Sequence, residues 1–210
     1  MQDIIFTVLV LAFSVILHEV AHGYMANWLG DPTARLAGRL TLNPLKHIDP
    51  MGSIILPALL AITHSPILIG YAKPVPYNPY NLPGKYDETL VAGAGPATNI
   101  FLVILFGLAI RFLGADVSQT MLEAFAVITY INMLLALFNL IPIPPLDGSK
   151  ILSGLLPAPL KDGYDSFRML FERLGVLQGT LLLLVIFYFL SPYFTVVLRS
   201  LFVLLTGVNI

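Results

Sequence analysis

The residues of this chain best suited to chemistry are two histidines four positions apart with a glutamate beside the first: His18-Glu19-Val20-Ala21-His22. On a helix, positions i and i+4 share a face, so both imidazoles can reach one metal ion while Glu19 stands next to it as a general base. Residues 4–17, just before the first of these groups, are apolar apart from Thr7 and Ser14, a composition that suits lipid better than a soluble core. An ionisable group at membrane depth costs several kcal/mol, so three within about one turn need a functional cause. The chemistry expected is metal-assisted hydrolysis, with zinc the leading metal.

A catalytic zinc usually takes three protein ligands and keeps a fourth position for water. The chain has no cysteine, so disulfides and thiolate ligands are excluded and the third ligand must be His, Asp or Glu. Asp147 fits. It lies in residues 139–148, Asn-Leu-Ile-Pro-Ile-Pro-Pro-Leu-Asp-Gly, where the prolines end a helix and Gly148 is expected to permit a sharp turn that points the carboxylate inward. Glu88 and Glu123 are the alternative third ligands, but neither sits in such a turn. His47 and His64 lack a helical ligand partner and read as loop or interface residues, although His47 could also touch a metal or substrate.

These residues need a scaffold that holds them at one depth. Of 210 residues, 57% are hydrophobic and 11% charged, with mean hydropathy +0.86, which marks an integral membrane protein. A net charge of -1 leaves no basic patch for nucleic acid. The length suits one domain, residues 1–210. No basic stretch of a cleaved signal peptide precedes the first apolar segment, which is therefore expected to be retained.

Residues 4–29 read as a helix of roughly 39 Å, long enough to cross a bilayer, closed by Trp28, Gly30, Asp31 and Pro32. Residues 35–42 alternate with period two, Arg35, Arg39 and Thr41 opposite Leu36, Leu40 and Leu42, and predict a short strand. Residues 51–63 are apolar but too short for a full span and predict a re-entrant or interfacial element, so that 33–86 together form strands and a re-entrant segment. Residues 67–83, rich in proline and tyrosine, read as extended edge strand and loop. Two spans follow at 88–113 and 120–141, parted by the polar turn 114–119. A loop over 142–175 contains a charge run at 161–173 that predicts an amphipathic helix. Residues 176–206, interrupted at Ser191-Pro192, predict a kinked span or a hairpin. The fold class expected is thus an all-α polytopic membrane protein. Its core is three transmembrane helices plus the C-terminal apolar element, with a short strand or re-entrant element between the first two full spans.

Charge bias orients this arrangement. Arg35, Arg39, Lys46, Lys73 and Lys85 lie between the first two full spans, and Lys150, Lys161, Arg168 and Arg173 follow the third; residues 1–6 and 114–119 carry neither Lys nor Arg. By the positive-inside rule the two loaded loops are cytoplasmic, and so is the end of the helix bearing His18 and His22. Asp147 then reaches the same side only if residues 51–63 do not cross.

Three stretches carry a family resemblance: 17–23 (Leu-His-Glu-Val-Ala-His-Gly), 93–99 (Gly-Ala-Gly-Pro-Ala-Thr-Asn) and 139–148. In order and spacing the chain resembles the site-2 protease family of intramembrane zinc metalloproteases, specifically its minimal prokaryotic subgroup without PDZ or CBS domains. The resemblance implies that His18, His22 and Asp147 hold one Zn2+ and that Glu19 is the catalytic base. It places Asn99 and Asn139 near the active site, where they could bind substrate backbone or the oxyanion. It further implies regulated cleavage of transmembrane segments of other proteins, at the cell membrane and toward its cytoplasmic side, with the edge at residues 67–79 holding the unwound substrate by strand addition. Gly93 and Gly95 are expected to serve close helix packing. A transporter or ion pathway built on the same buried His, Asp and Glu is the competing class, but no internal repeat is visible.

Overall fold

A computed structural model describes residues 4–49, 73–114, 116–173 and 175–208 of the chain. Among them run seven α-helices: α1 (Ile4–Trp28), α2 (Thr33–Leu36), α3 (Asp87–Leu113), α4 (Gln119–Asn139), α5 (Asp147–Leu155), α6 (Ala158–Arg173) and α7 (Gly175–Thr206). One-turn 3-10 helices at Pro44–Lys46 and Pro79–Asn81 complete the regular structure. Among the described residues four helical stretches are long and apolar enough to cross a membrane: Ile4–Trp28, Asp87–Leu113, Gln119–Asn139 and Val185–Thr206. The chain is a multi-pass membrane protein with an all-helical fold. Its C-terminal apolar region is one helix, with Pro192 inside it, and not a hairpin.

The central helix is α3, which packs on α1, α4, α5 and α7. Val103 and Ile110 of α3 join Met133 of α4 and Leu198 and Phe202 of α7 in a small buried cluster. A second cluster ties Ala26 of α1 to Leu82 and Val91. Many large apolar side chains instead face outward, among them Phe13, Phe101, Phe112 and Tyr193, as expected where lipid is the solvent. Trp28 is 78% exposed at the end of α1, in keeping with an interfacial anchor.

The strand expected at residues 35–42 does not form, and no strand occurs among the described residues. The period-two pattern lost to two local capping signals. Asp31 accepts the Thr33 amide at the start of α2. At its other end the Gly38 amide bonds Arg35 O and the Arg39 amide bonds Ala34 O, each at 3.0 Å, a Schellman closure that needs the positive φ of Gly38 (63°). The alternation also misplaced Arg39, which turns inward and is buried while Leu36 is exposed. The apolar segment at 51–63, His64 and residues 67–72 of the expected edge lie outside the described residues.

Residues 73–78 form an extended strap across α1. The Lys73 amide bonds His47 O at 2.8 Å, and Arg39 donates to Lys73 O at 2.7 Å and Pro74 O at 3.3 Å. At the far end Asp31, fully buried, receives the Asn78 amide at 2.6 Å and the Asn81 side-chain amide at 2.7 Å. Burial alone would raise the Asp31 pKa, but the hydrogen bonds from Asn81, Thr33 and the Asn78 amide outweigh it and hold the carboxyl below its usual range. Gly23 makes the close approach of strap to helix possible: a Cβ there would stand 2.6 Å from Leu40 Cδ2 and 2.7 Å from Val75 Cγ1.

Candidate functional site

Ser14, His18 and His22 recur every four residues and form a polar stripe on the buried side of α1. The stripe faces α3 and α4. The α4 helix ends at Asn139, where Pro142, Pro144 and Pro145 deny the chain further helical amides. The chain folds back and restarts as α5, whose first residue is Asp147. Gly148 is needed here for space and not for a turn, since it carries ordinary helical geometry. A Cβ at Gly148 would sit 2.5 Å from the carbonyl carbon of Leu140 and 2.6 Å from Ile141 O, both backbone atoms that cannot move aside. This close return of α5 onto the end of α4 brings Asp147 to the histidines.

The resulting cluster is compact. His18 Nε2 lies 3.1 Å from His22 Nε2 and 3.1 Å from Asp147 Oδ2, and His22 Nε2 lies 3.3 Å from the same oxygen. It is the one group of three or more His, Asp or Glu ligand atoms close enough to share a metal among the described residues. Tetrahedral zinc with bonds of about 2.0–2.1 Å would set its ligand atoms about 3.3 Å apart, so the three observed edges match such a site.

The hydrogen bonds behind the rings show what the cluster needs. His18 Nδ1 is 2.6 Å from Asn99 Oδ1, and His22 Nδ1 is 2.6 Å from Val91 O. Both partners are acceptors, so each ring carries its proton on Nδ1 and turns an Nε2 lone pair into the cluster. With both rings neutral, two Nε2 lone pairs and a carboxylate oxygen converge as three acceptors. A cation in the middle satisfies all three at once.

Gly95 completes the cradle. A Cβ built there would press on the Nε2 atoms of both His22 and His18, the latter at 2.6 Å, whereas one at Gly93 meets nothing within 4 Å. The two glycines, expected to share a packing role, thus differ. Gly95 leaves room at the point where the ligand atoms meet.

Glu19 points to the strap, not into the cluster: its Oε2 accepts the Val75 amide at 2.9 Å, while no bond to its other oxygen occurs among the described residues. This changes the reading of the extended edge. Within residues 73–78 the Lys73, Val75 and Asn78 amides are already taken and Pro74 and Pro76 have none, so little donor capacity is left for an added strand.

The two asparagines part company. Asn99 is fully buried and oriented between His18 and Asn132. Asn139 donates to Leu135 O of its own helix at 3.0 Å and makes no bond to the cluster. Glu88 lies in the first turn of α3, and Glu123 accepts from Gln119 on the surface of α4; neither joins the histidines. His47 is buried and bonds Thr41 O at 2.8 Å, in support of the strap. Asn132 of α4 was not expected at the site, although a lone amide seven residues before Asn139 on an apolar helix was a visible signal.

Comparison with known proteins agrees with this geometry. Residues 108–182 match the model of "Peptidase family M50". The chain is 38% identical over 162 residues to the Bacillus subtilis protein named "Putative zinc metalloprotease YwhC", covering 72% of this chain and 69% of that one. It is 34% identical over 136 residues to "Putative zinc metalloprotease Rip2" of Mycolicibacterium smegmatis, covering 64% of this chain and 51% of the relative. A third relative, "Zinc metalloprotease MJ0392" of Methanocaldococcus jannaschii, is 25% identical over 195 residues, 93% of this chain and 46% of the relative. The chain therefore spans about two thirds of the first of these relatives and about half of the other two. No solved structure matches it.

Proposed function

The chain belongs to peptidase family M50, the site-2 protease family of zinc metalloproteases, and on that footing we propose that it hydrolyses peptide bonds in membrane-embedded segments of other proteins, with His18, His22 and Asp147 as zinc ligands and Glu19 as general base. The observation that carries the assignment is the convergence of three ligand atoms at 3.1–3.3 Å, with the Nδ1 of each histidine bonded to an oxygen outside the cluster. Bound there, zinc would lower the pKa of its water toward neutrality and polarise the scissile carbonyl.

The remaining steps fall to the protein. Glu19, next to His18 on α1, takes the proton from the attacking water and delivers it to the leaving amine. The Val75 amide fixes Oε2, which leaves the other oxygen to do this work. A helical substrate must unwind before its carbonyl is accessible. Asn99 acts as a positioning residue for His18 and not as a group that touches substrate. The basic residues between the first two spans and after the third support an active site toward the cytoplasm. The whole chain, with the strap as its internal support, acts as one protease domain. A transporter is disfavoured by the family.

The deciding experiment compares wild type with Glu19→Gln for bound zinc and for cleavage of single-span membrane substrates. Equal zinc with cleavage reduced at least about a hundredfold is expected. Undiminished cleavage by the variant would overturn the role given to Glu19.

A further inference from the structure

Behind the cluster a line of buried amides runs through three helices. His18 Nδ1 of α1 meets Asn99 Oδ1 of α3 at 2.6 Å; Asn99 Nδ2 donates to Asn132 Oδ1 of α4 at 2.8 Å; Asn132 Nδ2 donates to Ile128 O at 2.9 Å and to Ser14 Oγ, back on α1, at 3.0 Å. Asn99 and Asn132 are fully buried and Ser14 nearly so, and none of them is a ligand or the base.

An amide can sit in its pocket either way round, so something must choose. The Ile128 carbonyl is an acceptor and nothing else. It demands Nδ2 of Asn132, which turns Oδ1 of Asn132 toward Asn99. That oxygen demands Nδ2 of Asn99, which turns Oδ1 of Asn99 toward His18. Only then does the His18 proton reside on Nδ1. Each link permits one orientation, and the sequence of choices starts from a backbone atom that cannot rotate.

We propose that Asn132 is a positioning residue that sets the tautomer of the ligand His18 through Asn99, using the Ile128 carbonyl as its fixed reference. The inference rests on His18 being a zinc ligand. Without Asn132, the Asn99 amide is free to turn over and present Nδ2 to His18 Nδ1. The imidazole proton then moves to Nε2 and points at His22 and Asp147, in the space a cation would take. The relay also explains why a second amide is kept in the apolar α4, where an unsatisfied polar group costs more than it would in water. Ser14 plays a lesser part, since the Ile128 carbonyl by itself already fixes Asn132.

The test uses the full-length protein in detergent micelles. Zinc affinity is measured by chelator competition, and the metal-free protein with 15N-labelled histidine gives the His18 tautomer by NMR. Asn132→Leu keeps the volume and removes the polarity; it is expected to weaken zinc binding by about 10- to 100-fold and to convert His18 from a single Nδ1-protonated form to a mixture. Asn99→Leu should weaken binding at least as much, and Ser14→Ala less than about threefold, an order that a merely structural contribution would not produce. Asn132→Leu that lowers thermal stability but leaves both zinc affinity and the His18 nitrogen shifts unchanged would overturn the relay. His18→Ala separates the two claims: wild-type affinity in that variant would overturn the zinc assignment itself, whatever the tautomer data show.

Discussion

Gly95→Ala should empty the metal site while Gly93→Ala, two residues away on the same helix, should leave it intact. The added methyl at position 95 would lie 2.6 Å from His18 Nε2 and closer still to His22 Nε2. Ordinary contact begins at 3.4 Å, so the rings would have to retreat by roughly 0.8 Å, whereas metal–ligand distances tolerate only about 0.2 Å. Retreat is resisted from behind, because His18 is held by Asn99 and His22 by Val91 O at 2.6 Å each. Loss of one such outer contact alone typically costs 10- to 100-fold in metal affinity. With both ligands displaced, the expected loss is at least about a hundredfold, or about 2.8 kcal/mol, with cleavage falling in step. Gly93→Ala meets no neighbour within 4 Å and replaces a poor helix former by the best, so its effect on stability should be neutral or favourable by up to about 1 kcal/mol. The assay is zinc per mole of purified protein and zinc affinity by chelator competition, with far-UV circular dichroism as a check on folding. Stoichiometric, tightly held zinc in Gly95→Ala would refute the reasoning. Equal loss of zinc in both variants would also do so, because helix disruption and not space at the ligands would then be responsible.

Gly148→Ala should likewise reduce zinc binding sharply, since its Cβ would strike the backbone of Leu140 and Ile141 and push Asp147 off the cluster; zinc content of the purified variant checks this. Val75→Pro removes the amide that holds Glu19 and should lower the cleavage rate about tenfold or more with zinc unchanged, whereas Val75→Ala, which keeps the amide, should lose mainly stability; single-turnover cleavage with zinc analysis separates the two. Asp31 has a depressed pKa in the fold, so its contribution is present above the unfolded carboxylate value near 3.8 and is lost as pH falls through the lower folded value. Hydrogen exchange at the Asn78 amide should therefore accelerate below about pH 4 and lose that dependence in Asp31→Asn. Prolonged dialysis against a strong chelator should abolish cleavage, and added zinc should restore it.

The sequence by itself determined the chemistry and the solvent. His18 and His22 are bound to one helix face by the 3.6-residue period, with Glu19 beside them, and the apolar run around them leaves lipid as the only surroundings in which that helix makes sense. Three spans were legible because bilayer thickness fixes their length, whereas the apolar region at 176–206 left a kinked span and a hairpin both open. Asp147 was legible because a proline-broken helix end with an acidic residue is costly at depth without a purpose. Local closure was misread at residues 35–42: alternation over a few residues is a weak signal, and the capping of α2 by Asp31 and Gly38 outweighs it. The tasks of Gly95, Gly148, Asn99, Asn132 and Val75 were decided only by tertiary structure, because each depends on an atom far away in the chain: a histidine ring, a returning carbonyl, a helix three elements on. Periodicity reports which face a residue occupies. What stands opposite that face, and which way round its hydrogen bonds run, is settled only when α1, α3, α4 and α5 close on one another.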